Sequence, residues 1–473
     1  MLSKLISANK SFLRLFSAII LIIATASCER KQQSGSDEND NGGNNYPEAV
    51  YYNVLDDETI AALDIIEQIF SNLGDDVQTT FFKNMVIADI NSFADSIATT
   101  IGTHDIELGL RKIAYSYYST DVNGEPIEIS SAALWRVYRK NNDTIWHDIS
   151  PEKIVMVEHF TITSDAEAPT QCSPFELLVT GNTLTIMPDY IGYGLTRHLP
   201  HPYLNHDLCA TNSIDALAAG YTLFDEVASC ELKEDWTTCV IGASQGGGNA
   251  LAVHKFMDTN PEYAEVWKFE YSYAAAGPYN PSLTMEKYFE RGKTSYPLVY
   301  PFTLKSMMQS YPDILGKYTE EEMFSDEYLQ MKDTIDYMFE SKNFTTAEIN
   351  EVLVKNLRIT VDENLSDDEI YLSDIFKEVM FNNNSEVVKD LYNCLDKNDL
   401  TRDWTPSHRI RLFYSSGDRT VPYENSIAMK EAFGDKVDAT ELEEPVDHFE
   451  ACTLWMIKVF LEGRLSFVAK SLG

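Results

Sequence analysis

The chain has 473 residues and is strongly acidic: 37 Lys and Arg stand against 74 Asp and Glu, a formal charge of −37 at pH 7. A surface of that sign repels nucleic acid and anionic headgroups, so a nucleic-acid partner is excluded and the acidity reads as solubility. Hydrophobic residues make up 44% of the chain, enough for a sizeable core in one large domain or a few smaller ones.

The N-terminus reads as a targeting segment. Lys4, Lys10 and Arg14 precede the apolar run from Leu15 to Ile23, and small residues from Ala24 to Ser27 lead to Cys28. That is the order of an export signal, with an apolar core too short for a permanent span. Small residues ending at a cysteine resemble a bacterial lipoprotein signal over 1–28, with Cys28 as the lipidated residue. The alternative is an ordinary secretory signal. Residues 29–45 are polar and low in complexity, the pattern of a flexible tether. The protein is thus expected in a bacterial cell envelope, periplasmic or at the cell surface, touching membrane only through its anchor.

Residues 46–108 read as an N-terminal helical extension. Thr59 to Phe70 has apolar residues at helical spacing, Gly74-Asp75-Asp76 breaks the run, and Phe82 to Thr99 resumes it. From Arg111 the period becomes two. Short strands are expected at 113–118, 126–130 and 132–138, with Asn123-Gly124 in a turn. Strands at 154–159 and 184–187 follow, the second closed by Pro188-Asp189-Tyr190-Ile191-Gly192-Tyr193-Gly194. A helix is expected over 207–230. Strands at 269–276 and 410–416 come later. Strands alternating with helices predict a mostly parallel α/β sheet with its ligand at the strands' carboxyl ends.

The stretch 237–250, TTCVIGASQGGGNA, carries the strongest chemical signal. A β-branched run meets Gly-Ala-Ser-Gln-Gly and then a helix of small residues. This is the strand–turn–helix context of a nucleophile elbow, with Ser244 at the apex. The bland alternative is a glycine-rich turn packing a helix closely on a sheet. About 130 largely helical residues, 279–406, separate the last two strands, longer than any compact connection needs. They read as an inserted cap shaping a pocket, or as a helical packing surface. The core is divided accordingly into 109–278 and 407–473.

A serine hydroxyl needs an adjacent base, itself oriented by an acid. Three histidines follow Ser244: His254, His408 and His448. His254 is ten residues into the next helix, pointing away. His408 precedes its strand, at the wrong end. His448 sits in a loop after an alternating run, before an apolar helix at 451–461. Asp418 directly follows the strand 410–416; Asp447, beside the histidine, is badly placed to orient it. Six cysteines follow Cys28, namely Cys172, Cys209, Cys230, Cys239, Cys394 and Cys452, with no zinc spacing. No pairing is assigned. His198, His201 and His206 cluster in a proline-containing loop, a poor metal frame, and no metal or cofactor is expected.

These residues together resemble the α/β-hydrolase superfamily. More closely, the chain is similar to the secretory-lipase group related to fungal lipase A-type enzymes and their bacterial relatives. The likeness rests on GASQG around Ser244, PDYIGYG at 188–194, HPYL at 201–204, GDRTVPY at 417–423, DHF at 447–449 and Cys172-Ser173-Pro174, and covers roughly 110–470. It implies an α/β-hydrolase fold with an inserted helical cap, Ser244 as nucleophile, Asp418 as acid and His448 as base. It implies an oxyanion hole of the Gln245 amide plus one from the loop after strand 154–159. Relatives often carry His-Gly there; this chain has His159-Phe160-Thr161, which leaves Phe160 and Thr161 both open. His159 reads as a structural residue of that loop and Asp189 as the pin of its own loop. Tyr190 and Tyr193 are candidates for the pocket wall or for packing. The expected activity is cleavage of a small-molecule, carbohydrate or lipid ester. A serine aminopeptidase-type enzyme and a non-catalytic surface lipoprotein are the alternatives.

Overall fold

A computed structural model describes residues 50–71, 77–103, 105–140, 143–172 and 180–471. The segments expected to form an export signal and a tether, Cys28 with them, and the pair Ser173-Pro174 lie outside the described residues. Strands β1 (Asn53–Ala61), β2 (Ile106–Thr120), β3 (Pro126–Lys140), β4 (His147–Asp148), β5 (Lys153–Glu158), β6 (Thr183–Pro188), β7 (Thr238–Ala243), β8 (Phe269–Ala275), β11 (Arg409–Tyr414) and β12 (Val437–Glu441) form one sheet. Its order is β1-β2-β3-β6-β5-β7-β8-β11-β12, with β4 on β3. From β6 to β12 all neighbours are parallel; β1, β2 and β3 are antiparallel. The central strands β5, β6 and β7 are buried along nearly their whole length, so they are continuous apolar runs rather than alternating ones.

Helices cover both faces. On one side α3 (His206–Val227) and α4 (Gln245–Thr259) bury Leu217, Leu223, Phe224, Leu251, Val253 and Met257 against Trp135, Ile154, Met156 and Val240. On the other, α14 (His448–Ser471) sets Leu454 and Trp455 against Val157, Ile241, Tyr273 and Phe413. Between them in sequence come α5 (Pro261–Val266), the cap helices α6 (Pro281–Arg291), α7 (Val299–Ser310), α8 (Pro312–Leu315), α9 (Glu320–Met323), α10 (Asp326–Ser341), α11 (Thr346–Leu357) and α12 (Glu386–Asp396), and then α13 (Glu424–Phe433).

The cap has its own core. Leu298, Tyr300, Phe324, Ile335, Leu353, Leu372 and Leu395 cluster there, joined by Tyr203 and Leu204 from the sheet domain. It also contains a small antiparallel pair, β9 (Lys293–Thr294) with β10 (Ile370–Tyr371), two residues each and too short to leave a periodic signal.

Two expectations need correction. The N-terminal extension is not wholly helical. Helices α1 (Ala62–Ser71) and α2 (Val77–Ile101) are present, but Asn53–Ala61 is the edge strand β1. The long strand β2 offers it a ladder, and Arg111 clasps Asp57 at 2.8 Å across the pair. Pairing with that edge outweighs the helical spacing of a few apolar residues. Likewise, 126–130 and 132–138 are one strand of 15 residues, joined to β2 by a turn in which Gly124 takes φ +77°.

His254 and His408 meet on one shared carboxylate, Asp258. His254 Nδ1 faces Ser272 Oγ at 2.7 Å, and its Nε2 faces Asp258 Oδ2 at 3.0 Å. His408 Nδ1 bonds the other Asp258 oxygen, and the Ser407 and His408 amides donate to Oδ2. The Asp258 side chain is solvent-inaccessible. These donors hold its carboxyl well below the usual range. The node ties α4 and β8 to the segment returning from the cap. Asp258→Asn is expected to cost about 3–5 kcal/mol, since it strands buried donors. A depressed carboxyl stabilises above its unfolded pKa and loses that contribution as pH falls. The gap to wild type in denaturant midpoint should therefore narrow below roughly pH 4.

Candidate active site

The elbow arises where β7 runs into α4. Ser244 takes φ 57°, ψ −126°, a conformation an L-residue holds only when its surroundings enforce it. Its amide is held by the Ala275 carbonyl at 2.9 Å, and its own carbonyl accepts from Gly247 at 2.9 Å. The flanking glycines are required by space. A Cβ on Gly246 would lie 2.0 Å from the Glu158 carbonyl oxygen, and one on Gly242 would lie 2.2 Å from the Gly246 carbonyl.

Ser244, His448 and Asp418 come together at the carboxyl ends of β7, β12 and β11. Ser244 Oγ is 2.8 Å from His448 Nε2, and His448 Nδ1 is 2.7 Å from Asp418 Oδ2. The second carboxylate oxygen accepts the Thr420 and Val421 amides, each at 2.9 Å. His448 and Asp418 are buried, while Ser244 is partly exposed. With Nδ1–H donated to the carboxylate, Nε2 is left as an acceptor for the serine hydroxyl.

A residue the sequence reading passed over joins the acid and base loops. Ser415 Oγ donates to the Val446 carbonyl (2.7 Å) and accepts the Val446 and Gly417 amides (2.8 and 3.1 Å). Gly417 lies so close to this strand end that a Cβ there would be 2.7 Å from the Val446 amide nitrogen. Ser-Ser-Gly-Asp looks like any turn in sequence; its partner is 31 residues away.

The candidate oxyanion donors are placed as follows. The Gln245 amide heads α4, at the positive end of its dipole. Phe160 and Thr161 lie in the loop after β5. None of these three amides is committed to an acceptor among the described residues. The Gln245 side chain is anchored by a second group missed from sequence. His201 donates Nδ1–H to the Ile191 carbonyl (2.8 Å), and its Nε2 accepts from Gln245 Nε2 at 2.7 Å. Burial drives the His201 pKa down to about 3, so the ring stays neutral and keeps that acceptor.

The other residues of the two loops are structural. His159 Nδ1 faces the Phe160 carbonyl at 2.7 Å, and burial lowers its pKa to about 4. Asp189 accepts Ser130 and Thr170 hydroxyls, each at 2.6 Å, and the Thr170 amide at 2.9 Å. Tyr190 and Tyr193 are fully buried and do not form a pocket wall. Tyr190 donates to Glu158 Oε2 at 2.9 Å, Tyr193 donates to the Ile162 carbonyl, and both rings pack with Ile162 and Ala168 behind the loop. Phenol groups this deep need acceptors, supplied here by the Glu158 carboxyl and the Ile162 carbonyl. His198 is exposed, and His206 donates to the Asn398 carbonyl at 2.7 Å, so the three clustered histidines diverge. Cys209, Cys230, Cys239, Cys394 and Cys452 are free thiols.

The cap closes over this edge. The Thr163 hydroxyl donates to Phe344 O (2.8 Å) and the Asp165 amide to Lys342 O (2.8 Å), stitching the α10–α11 connection to the loop after β5. Tyr296 stacks edge-on with Phe449, beside His448, at 5.6 Å between ring centres.

Solved structures with this fold are known. An esterase from Xanthomonas oryzae, described as rice cell wall degrading, aligns at 19% identity over 78% of this chain and 93% of its own, with a TM-score of 0.57. A putative hydrolase from Legionella pneumophila aligns at 20% identity over 76% and 88%, with a TM-score of 0.59. Candida antarctica lipase A in its closed state aligns at 13% identity over 75% and 78%, with a TM-score of 0.50. No family model and no curated protein sequence matches the chain. The fold is that of the α/β hydrolases, with a mostly parallel central sheet flanked by helices.

Proposed function

We propose that this chain is a serine hydrolase that cleaves carboxylic esters through an acyl-enzyme. One observation carries the reading: a single imidazole bridges Ser244 Oγ and a buried carboxylate, at 2.8 and 2.7 Å. In this reading His448 Nε2 takes the serine proton as Oγ attacks the ester carbonyl. The Gln245 amide, with Phe160 or Thr161, holds the tetrahedral oxyanion. The protonated His448, stabilised by Asp418, then gives its proton to the departing alcohol. Water, deprotonated by the same nitrogen, releases the acid. The similar esterase is described as rice cell wall degrading, which keeps carbohydrate-linked esters within the substrate class alongside lipid esters. The signal-like residues before Cys28 support an exported protein anchored by lipid at its N-terminus.

The test is a substrate panel on the full-length protein: short- and long-chain aryl esters, acylated sugars and aminoacyl amides. Ester turnover is expected. Cleavage of aminoacyl amides without any ester turnover would replace this reading with a peptidase.

A further inference from the structure

Behind the elbow lies a buried carboxyl that the mechanism does not use. Glu158 is the last residue of β5, with no solvent exposure. Its carbonyl is pressed against Gly246, and the next residues are His159, Phe160 and Thr161. One carboxyl oxygen, Oε2, accepts from Tyr190 (2.9 Å) and Ser213 (3.0 Å); the other, Oε1, has no partner. Asn249, one turn into α4, is also fully buried, and its side-chain oxygen and nitrogen are both unpartnered. Asn249 acts on both the Tyr190 hydroxyl and the Cys209 thiol, as Glu158 does, but meets hydrogen-bond geometry with neither.

A carboxylate here would be a buried charge with no cation against it and one oxygen without a donor. A carboxylic acid removes the charge and turns Oε1 into a donor. We propose that Glu158 is a positioning residue for the oxyanion loop, held there as a neutral acid. It acts through Tyr190, whose backbone is held at φ 65° and whose ring lies 4.1 Å from that of His159. The groups facing Glu158 are Tyr190 from the loop after β6, Ser213 and Cys209 from α3 and Tyr117 from β2, with Asn249 from α4 set against the same Tyr190 and Cys209. None is a cation. Burial accordingly raises the Glu158 pKa to about 7. Ionisation above that pH puts an unpaired charge behind the loop that carries Phe160 and Thr161.

This role rests on the ester-hydrolase reading, and the experiment separates the two. In wild type, kcat should fall on the alkaline side, with one ionisation below about pH 9. Glu158→Gln cannot ionise, so its alkaline fall should vanish while kcat on the acid side and KM stay within a few-fold. Tyr190→Phe removes a donor that favours the ionised form, so its alkaline limb should move to higher pH. A wild-type profile flat to about pH 9 overturns the proposal, whatever becomes of the variants. So does an alkaline limb retained in Glu158→Gln, or unmoved in Tyr190→Phe if the Gln variant fails to fold. Turnover that survives Ser244→Ala would instead overturn the reading on which the proposal rests.

Discussion

Ser244→Ala is expected to lower kcat on esters by something on the order of 10⁶-fold, with the fold intact. The side chain has one hydrogen-bond partner, His448, so its loss leaves no buried donor stranded. The strained backbone at φ 57° is imposed by the Ala275 and Gly247 contacts, and alanine inherits it. The oxyanion amides and the cap remain, so substrate affinity should change little and the melting temperature hardly at all. The loss should fall on kcat, because the covalent step itself is removed. Steady-state kinetics on one ester, with a melting curve on the same sample, checks both parts.

Asp418→Asn is expected to cost about 10⁴-fold in kcat, again without unfolding. The reason is specific to this loop. Thr420 and Val421 both donate to Oδ1, so the amide oxygen of asparagine must stay there to satisfy them. That turns the NH₂ group toward His448 Nδ1. A donor at that point forces the imidazole into the tautomer with its proton on Nε2. Nε2 can then no longer accept from Ser244. Nitrogen NMR of the ring should show the inverted tautomer, and kcat should fall in parallel. An Asn variant that kept the Nδ1–H tautomer and full activity would remove the acid's assigned role.

What could be read from sequence was what is local. The elbow is one strand, one turn and one helix within a dozen residues, and its glycines answer to backbone contacts that any such turn must make. Asp418 and His448 each follow a strand, so their shared edge followed from the α/β pattern once the strands were found. The unread parts are side chains whose partners are distant in sequence. Ser415 clasps Val446, His201 clasps Gln245 and Tyr190 clasps Glu158; none of these pairs has a spacing signature. Aromatic residues beside a site suit a pocket wall and packing alike, so the sequence leaves Tyr190 and Tyr193 open between the two. Their hydroxyls decide it, each bonded inward to the end of β5 or the loop that follows it. The strand β1 failed for the opposite reason. Its local pattern favours a helix, and only the open edge of β2, fifty residues on, makes it a strand.

A nucleophilic Ser244 Oγ should be the atom that an active-site-directed phosphonylating reagent finds. The full-length protein is treated with an alkyl fluorophosphonate, digested, and each modified peptide is mapped by mass spectrometry. One phosphonyl group is expected, on Ser244, with ester turnover lost in step with labelling and no labelling in His448→Ala. Turnover that persists in protein fully labelled at Ser244, or loss of turnover with the label on another residue, would contradict it.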